Sequence, residues 1–204
     1  MKKVTLSDQN SNPNFIGSWI IDPVSMCDEL IAYFESNKND QRKGATGIGE
    51  NLDIKNSVDI AILPKDIKLP GNEVFVQYFN SLFSCYQDYR TQWPFLTTFA
   101  ENLHIGEFNL QRYQTGQHFQ GIHSERTGLE GLHRIFAWMT YLNDVDIEAG
   151  GSTHFTHYDL EIQPKKGLTL VWPAEWTHAH QGMLLHADSK YIITGWMHFP
   201  NNSI

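Results

Sequence analysis

The chain has 204 residues, of which 41% are hydrophobic and 13% aromatic, and its formal net charge at pH 7 is −8. This apolar content excludes an intrinsically disordered chain, and the length suits one domain with a sizeable core. An acidic chain that lacks a long basic run is unsuited to binding nucleic acid or an anionic membrane over its whole surface. We therefore expect a single domain over residues 1–204 whose partners include neither nucleic acid nor a membrane.

The cysteines and the N-terminus favour a reducing compartment. Cys27 and Cys85 are too few and too isolated for a disulfide framework, and both fall in segments with helical periodicity, where a buried free thiol is the simplest interpretation. The basic start of the chain is followed by polar residues, which is not typical of a signal peptide. No apolar run approaches the ~20 residues that cross a bilayer. These features predict a cytoplasmic protein.

The first hundred residues are predicted to form a helical support for the rest of the domain. An apolar run over residues 15–21 indicates a strand, and Ser25 followed by Asp28 resembles a capping box that begins a helix ending near Ser36. A weakly alternating segment at 57–63 indicates a second strand.

An apolar, largely aromatic stripe at helical spacing then predicts a longer helix from Asn72. This helix should end at Trp93, because the residue before a proline disfavours helical geometry. We interpret the stripe as a face that packs on the core.

The sequence after residue 100 consists of short β-prone segments separated by turn residues. Such a series is typical of a sandwich or barrel, whose sheet the two preceding helices could cover. Strands are predicted near 104–113, 117–123, 133–142, 159–163, 168–172, 178–184 and 189–199.

The most informative pair of residues is His123 and Glu125. Residues two apart in a strand point to the same face, so this imidazole and this carboxylate could bind one ion. A second imidazole from elsewhere in the chain would complete a set of two histidines and one carboxylate, which suits non-heme Fe(II). A His-x-Glu pair alone is weak evidence, because it occurs by chance in many proteins.

A longer ordered pattern makes the interpretation much more specific. The sequence resembles the 2-oxoglutarate and Fe(II)-dependent oxygenases of the prolyl hydroxylase type over residues 105–199. The resemblance implies a mainly β fold, a double-stranded β-helix or jelly roll at 101–199, with the N-terminal helices packed on one sheet. The matching residues, in chain order, are Tyr113, Gly116, His123, Arg134, Tyr141-Leu142-Asn143, Gly150-Gly151, His180, Lys190, Thr194 and Trp196.

The resemblance implies that His123, Glu125 and His180 hold Fe(II), with 2-oxoglutarate as co-substrate and O2 as oxidant. Ascorbate is an additional candidate cofactor. His178 competes with His180 as a ligand, but Lys190 follows His180 by ten positions (190 minus 180), as the family pattern requires. The implied reaction hydroxylates an unactivated C–H bond and releases succinate and CO2.

The remaining matches imply a pocket for the co-substrate. Lys190 would pair with the distal carboxylate of 2-oxoglutarate, with the hydroxyls of Tyr141 and Thr194 assisting it and that of Tyr113 nearby. Arg134 stands where the family has an arginine near the substrate opening, so we assign it to the substrate, as a catalytic-site residue. Trp196 would form part of the pocket wall.

One residue departs from the family pattern. Glu125 stands where most members have aspartate; it keeps the charge but adds a methylene group, so it must coordinate from further back. Two alternatives therefore stay open: a zinc hydrolase that uses the same three ligands, and a jelly-roll binding module without activity. Within the oxygenase hypothesis, a prolyl residue in a peptide or protein is the expected substrate, and a free amino acid or other small molecule is the alternative.

Overall fold

The computed structural model describes residues 1–6, 14–47 and 49–200. The helices are α1 (Met26–Ser36), α2 (Glu73–Gln92) and the short α3 (Leu96–Phe99). The strands are β1 (Lys2–Lys3), β2 (Gly17–Ile20), β3 (Arg42–Lys43), β4 (Val58–Ile62), β5 (His104–Ile105), β6 (Phe108–Gln114), β7 (Phe119–His123), β8 (Arg134–Tyr141), β9 (Thr153–Phe155), β10 (Leu160–Ile162), β11 (Leu168–Pro173), β12 (His180–Gly182) and β13 (Ser189–His198).

The strands form two antiparallel sheets of unequal size, which together make the predicted jelly roll. The large sheet has the order β1-β2-β11-β8-β13-β6-β4-β3, with β5 paired to β13. The small sheet has the order β10-β9-β12-β7. The fold is mainly β, as the sequence predicts.

Alternation along β13 shows how the large sheet separates two cores. Ile193 and Met197 belong to a core beneath the helices, whereas Ile192 and Trp196 belong to or pack against a second core between the sheets. Successive residues of a strand point to opposite faces. Lys190 is an even number of residues from Ile192 and Trp196, so it also faces the space between the sheets.

Helices α1 and α2 cover the outer face of the large sheet. Most of the predicted apolar stripe of α2 is buried, including Phe75, Tyr78 and Leu82, whereas Phe83, which was predicted to belong to it, is 59% exposed. Phe79 meets Trp138 of β8 edge to face, with ring centroids 5.7 Å apart. The prediction that the stripe packs on the core is confirmed.

The local details of the N-terminal region differ from the prediction in one place. Ser25 has helical backbone angles and its side chain makes no capping hydrogen bond, so the predicted capping box is wrong. Asp28 instead accepts hydrogen bonds from Lys166 at 2.6 and 2.7 Å, across the domain. Cys27 and Cys85 are buried free thiols, as expected. None of the described helices has the length and apolar character needed to cross a membrane.

Near the site the observed strands differ from the predicted ones in two places. His178 belongs to a 3₁₀ turn, Trp176–His178, and β12 begins only at His180. Strand β9 was not predicted, because three residues after two glycines are too few to show alternation. Gly150 and Gly151 have φ angles of 75° and 72°, a conformation that side-chain-bearing residues rarely adopt.

Candidate active site

The small sheet brings three potential metal ligands together. His123 ends β7, Glu125 lies two residues beyond it, and His180 begins β12. His180 is the register partner of His123 in the antiparallel pair of β12 and β7. One ligand atom from each of the three residues lies within 4.8 Å of the others.

Backbone carbonyls orient both imidazole rings. Nδ1 of His123 lies 2.8 Å from the carbonyl oxygen of Gly121, and Nδ1 of His180 lies 2.9 Å from that of His178. With its proton on Nδ1, each ring donates to its carbonyl and leaves the Nε2 lone pair for a metal. Nε2 of His180 is 3.5 Å from Oε1 of Glu125.

Aromatic side chains enclose these rings. Phe119 stacks on His123 with ring centroids 4.0 Å apart, and Trp172 meets His180 edge to face at 5.2 Å. Burial, and then the neighbouring ring of His123, lowers the pKa of His180 to about 4. His180 is therefore neutral at pH 7, which is the form that binds metals.

His178, the competing ligand in the sequence, points elsewhere. Its Nε2 donates to the carbonyl oxygen of Asn14 at 2.8 Å, and its ring lies against Tyr158. The structure thus places His180, and not His178, beside His123 and Glu125.

Lys190 lies on the opposite sheet and is only 3% exposed. Its Nζ donates to the carbonyl oxygen of Gly151 at 2.8 Å and lies 4.5 Å from the ring centroid of Tyr113. Burial lowers the pKa of Lys190 to about 7. An ammonium group in such a place gains strongly from an anionic partner.

The three predicted co-substrate hydroxyls all have partners within the protein. Tyr113 donates to Oε1 of Gln111 at 2.8 Å, and Tyr141 donates to the hydroxyl of Thr153 at 2.7 Å. The hydroxyl of Thr194 donates to the carbonyl oxygen of Trp138 at 2.9 Å. Each of these hydroxyls has only one hydrogen to donate, whereas Lys190 has three, so Lys190 is the better equipped to bind a carboxylate.

Arg134 contacts both the backbone of Glu125 and the ring of Trp196. Its guanidinium group lies 3.7 Å from the ring centroid of Trp196 and donates to the backbone carbonyl of Glu125 at 3.0 Å. The indole N–H of Trp196 donates to Oε2 of Glu125 at 2.5 Å. Sequence reasoning placed Trp196 in the pocket wall and missed this bond, since no spacing rule links residues 71 positions apart.

The donor set of the small sheet fits a divalent metal ion. Two imidazoles oriented by carbonyls and one carboxylate are the ligand types that bind non-heme iron, and Oε1 of Glu125 is the carboxylate oxygen nearer to His180. Metal-binding histidines commonly donate their second ring nitrogen to a carbonyl, as both do here.

Comparison with known protein families finds a match over part of the chain. A family model described as the 2OG-Fe(II) oxygenase superfamily matches residues 108–198, which hold all three potential metal ligands and Lys190. This match covers slightly less than half of the chain and supports a 2-oxoglutarate-dependent dioxygenase, a class of enzyme for which Fe(II), 2-oxoglutarate and O2 are implied. A search of curated protein sequences returned no significant match.

Solved structures with the same fold include three prolyl hydroxylases. The viral collagen prolyl hydroxylase of Paramecium Bursaria Chlorella virus-1, in complex with 2OG, has a TM-score of 0.62 and 17% identity over 90% of this chain and 95% of its own. A Pseudomonas putida prolyl-4-hydroxylase has a TM-score of 0.69 and 16% identity over 91% and 93%. A Trichoplax adhaerens prolyl hydroxylase, bound to a hypoxia inducible factor peptide, has a TM-score of 0.71 and 16% identity over 92% and 84%. At these identities the similarity establishes the shared fold.

Proposed function

We propose that His123, Glu125 and His180 hold Fe(II) and that Lys190 binds the distal carboxylate of 2-oxoglutarate. The observation that carries this proposal is the grouping of the three ligands within 4.8 Å on the small sheet and the loop that follows β7, while a buried ammonium group lies on the facing sheet. Among the described residues Lys190 has no carboxylate partner, and a diacid bound between the sheets would supply one. Tyr113, Tyr141 and Thr194 line this pocket in the proposal, and Arg134 supports its metal end.

The protein's own contribution is orientation and exclusion of water. When bound, the iron and 2-oxoglutarate supply the oxidising chemistry, which couples release of succinate and CO2 to hydroxylation of a C–H bond. The carbonyls of Gly121 and His178 fix the orientation of the His123 and His180 rings through hydrogen bonds to Nδ1. Phe155 and Trp172 pack around His180 and leave it buried, which keeps water away from that ligand.

Our proposal for the substrate is a prolyl residue within a peptide or protein. The three solved structures with this fold named above are all prolyl hydroxylases, and the printed description of one of them includes a bound peptide. The loop after Glu125 also suits an extended ligand. Arg126 of this loop pairs with Glu175, and Leu129 and Trp176 beside them are 86% and 68% exposed.

Turnover of 2-oxoglutarate with Fe(II) tests the first part of the proposal. The purified protein should form succinate without a prime substrate, and His180→Ala should reduce this to background. A library of proline-containing peptides, with free proline and other amino acids as the comparison, then tests the substrate. A peptide that stimulates succinate formation should gain the mass of one oxygen atom on proline. Stimulation by free amino acids alone would contradict the peptide assignment, and absence of any 2-oxoglutarate turnover would contradict the roles given to the four residues.

A further inference from the structure

The carboxylate of Glu125 is held by an arrangement that the prediction of metal ligands does not explain. Its two oxygens have different neighbours. Oε2 accepts the indole N–H of Trp196 at 2.5 Å, whereas Oε1 faces Nε2 of His180 at 3.5 Å. The hydrogen bond therefore leaves the oxygen that faces His180 free to bind a metal ion.

A neutral donor suits this task better than a cation would. A guanidinium paired with the carboxylate would neutralise the charge that attracts a metal ion. Arg134 donates instead to the backbone carbonyl of Glu125 at 3.0 Å and covers the ring of Trp196 at 3.7 Å from its centroid. The guanidinium thus fixes the backbone beside the ligand and the ring that donates to it.

The length of the glutamate side chain decides whether this bond can form. Aspartate would withdraw the carboxylate by roughly one C–C bond, about 1.5 Å. With the backbone and Trp196 in place, the indole nitrogen would then be beyond the ~3.5 Å at which an N–H···O hydrogen bond is lost. In this backbone the indole N–H therefore reaches the carboxylate of glutamate at position 125 but not that of aspartate.

We propose that Trp196 and Arg134 are positioning residues that orient the carboxylate of Glu125 in this metal centre. The indole N–H holds one carboxylate oxygen of Glu125 so that the longer, more flexible side chain presents the other to the metal. Arg134 holds the indole ring and the backbone of Glu125. The proposal rests on the assignment of His123, Glu125 and His180 as metal ligands.

A double-mutant cycle on metal binding tests it without any assay of activity. The apo forms of the native chain, Trp196→Phe, Glu125→Asp and the double variant are titrated with Co(II) by calorimetry and by the visible absorption of the bound ion. Phenylalanine keeps an aromatic ring under Arg134 but removes the donor. Trp93→Phe is the matched control, since Trp93 contacts Phe15 at the end of α2.

The expected result is a coupling between positions 125 and 196. Trp196→Phe should weaken Co(II) binding about tenfold, the lower end of what loss of a partner to a metal ligand costs. In the Glu125→Asp background the same substitution should change affinity by less than about twofold, because the bond is already absent. Trp93→Phe should leave affinity unchanged. Equal losses in both backgrounds, or no loss in either, would overturn the proposal.

Two further variants distinguish failure of the positioning proposal from failure of the metal-ligand assignment. Circular dichroism identifies any variant that misfolds. If His180→Ala binds Co(II) as tightly as the native chain, the ligand assignment is wrong and the positioning proposal falls with it. A site that requires His180 but ignores Trp196→Phe overturns the positioning role alone. Arg134→Gln removes the stacked cation without touching the donor, and about a threefold loss of Co(II) affinity is expected by the same mechanism. Circular dichroism of each variant must match the native chain for its affinity to count.

Discussion

The two sheets contribute different halves of the candidate site, and their environments differ. The small sheet and its following loop hold His123 and Glu125, which are partly exposed, with His180 buried behind them. The large sheet holds Lys190 and Tyr141, which are 3% and 0% exposed. The metal end of the pocket thus lies near the surface, where a large substrate can approach, whereas the end proposed for the co-substrate is enclosed.

A few contacts fix the position of the metal-binding half of the site relative to the half proposed for the co-substrate. Trp196 of β13 reaches Glu125, Lys190 of β13 reaches Gly151, and Trp172 of β11 meets His180. Neither sheet alone contains a complete site. Substitutions on the small sheet should therefore affect the metal, and substitutions on the large sheet should affect the diacid.

The largest expected effect is on the small sheet. His123→Ala or His180→Ala should reduce succinate formation to background, because a site with one imidazole missing no longer holds iron firmly. His178→Ala is the matched control: it removes a buried imidazole but keeps the backbone carbonyl that orients His180. Succinate release measured with saturating Fe(II) checks this, and loss of activity in His178→Ala alone would move the ligand to that position.

On the large sheet, Lys190→Met should raise the KM for 2-oxoglutarate about a hundredfold, within the 2–5 kcal/mol that loss of one partner from a buried charge pair costs. Metal binding should not change, because Lys190 contacts Gly151 and Tyr113 and not the metal ligands. Steady-state kinetics beside Co(II) titration separates the two. A large loss of metal affinity would show that the halves are not independent.

The pH dependence of co-substrate binding follows from the same residue. The pKa of Lys190 is about 7, so above pH 7 the free enzyme must take up a proton to pair with the diacid. The KM for 2-oxoglutarate should rise by up to about tenfold per pH unit from pH 7 upward. Lys190→Arg, whose charge does not titrate in this range, should give a flat profile. A native profile as flat as that of the arginine variant would argue against the protonated amine as the anchor.

Stability of the apo protein should show the opposite trend. The folded pKa of Lys190, about 7, is below its ordinary value of 10.5, so between these values the unfolded chain binds more protons. The burial penalty is therefore complete below pH 7 and is relieved as pH rises from 7 to 10.5, by roughly 1.4 kcal/mol per unit. Lys190→Met should be more stable than the native chain at pH 7, and this advantage should shrink toward pH 10. Denaturant unfolding at several pH values measures it.

The smallest effect on succinate formation is expected when a buried ion pair near the edge of the large sheet is broken. Its main effect should be on the free energy of unfolding. Lys55 and Asp59 are 2.6 Å apart, with side chains 5% and 11% exposed. Asp59→Asn should lower the free energy of unfolding by about 3 kcal/mol, because it leaves Lys55 buried without its counter-charge. Asp28→Asn is the control, since Asp28 pairs with Lys166 while 67% exposed and should cost less than about 1 kcal/mol. Equal losses would show that burial does not distinguish the two pairs.

Elements with long periodic patterns could be predicted from the sequence. The aromatic stripe of α2 repeats over several turns, so its signal exceeds local noise. Short elements could not be predicted in this way. Strand β9 has three residues, and the 3₁₀ turn that removes His178 from its strand depends on contacts with Asn14 and Tyr158.

What the sequence determined by itself is the set of chemical groups and their order. The ordered pattern of residues from Tyr113 to Trp196 was enough to show a resemblance to the iron- and 2-oxoglutarate-dependent oxygenases, and that resemblance implied the reaction. Only the tertiary structure decided which atoms meet. The bond from Trp196 to Glu125 and the bond from Lys190 to Gly151 join residues 71 and 39 positions apart. Such pairs depend on how two sheets face each other, and that packing leaves no periodic trace in the sequence.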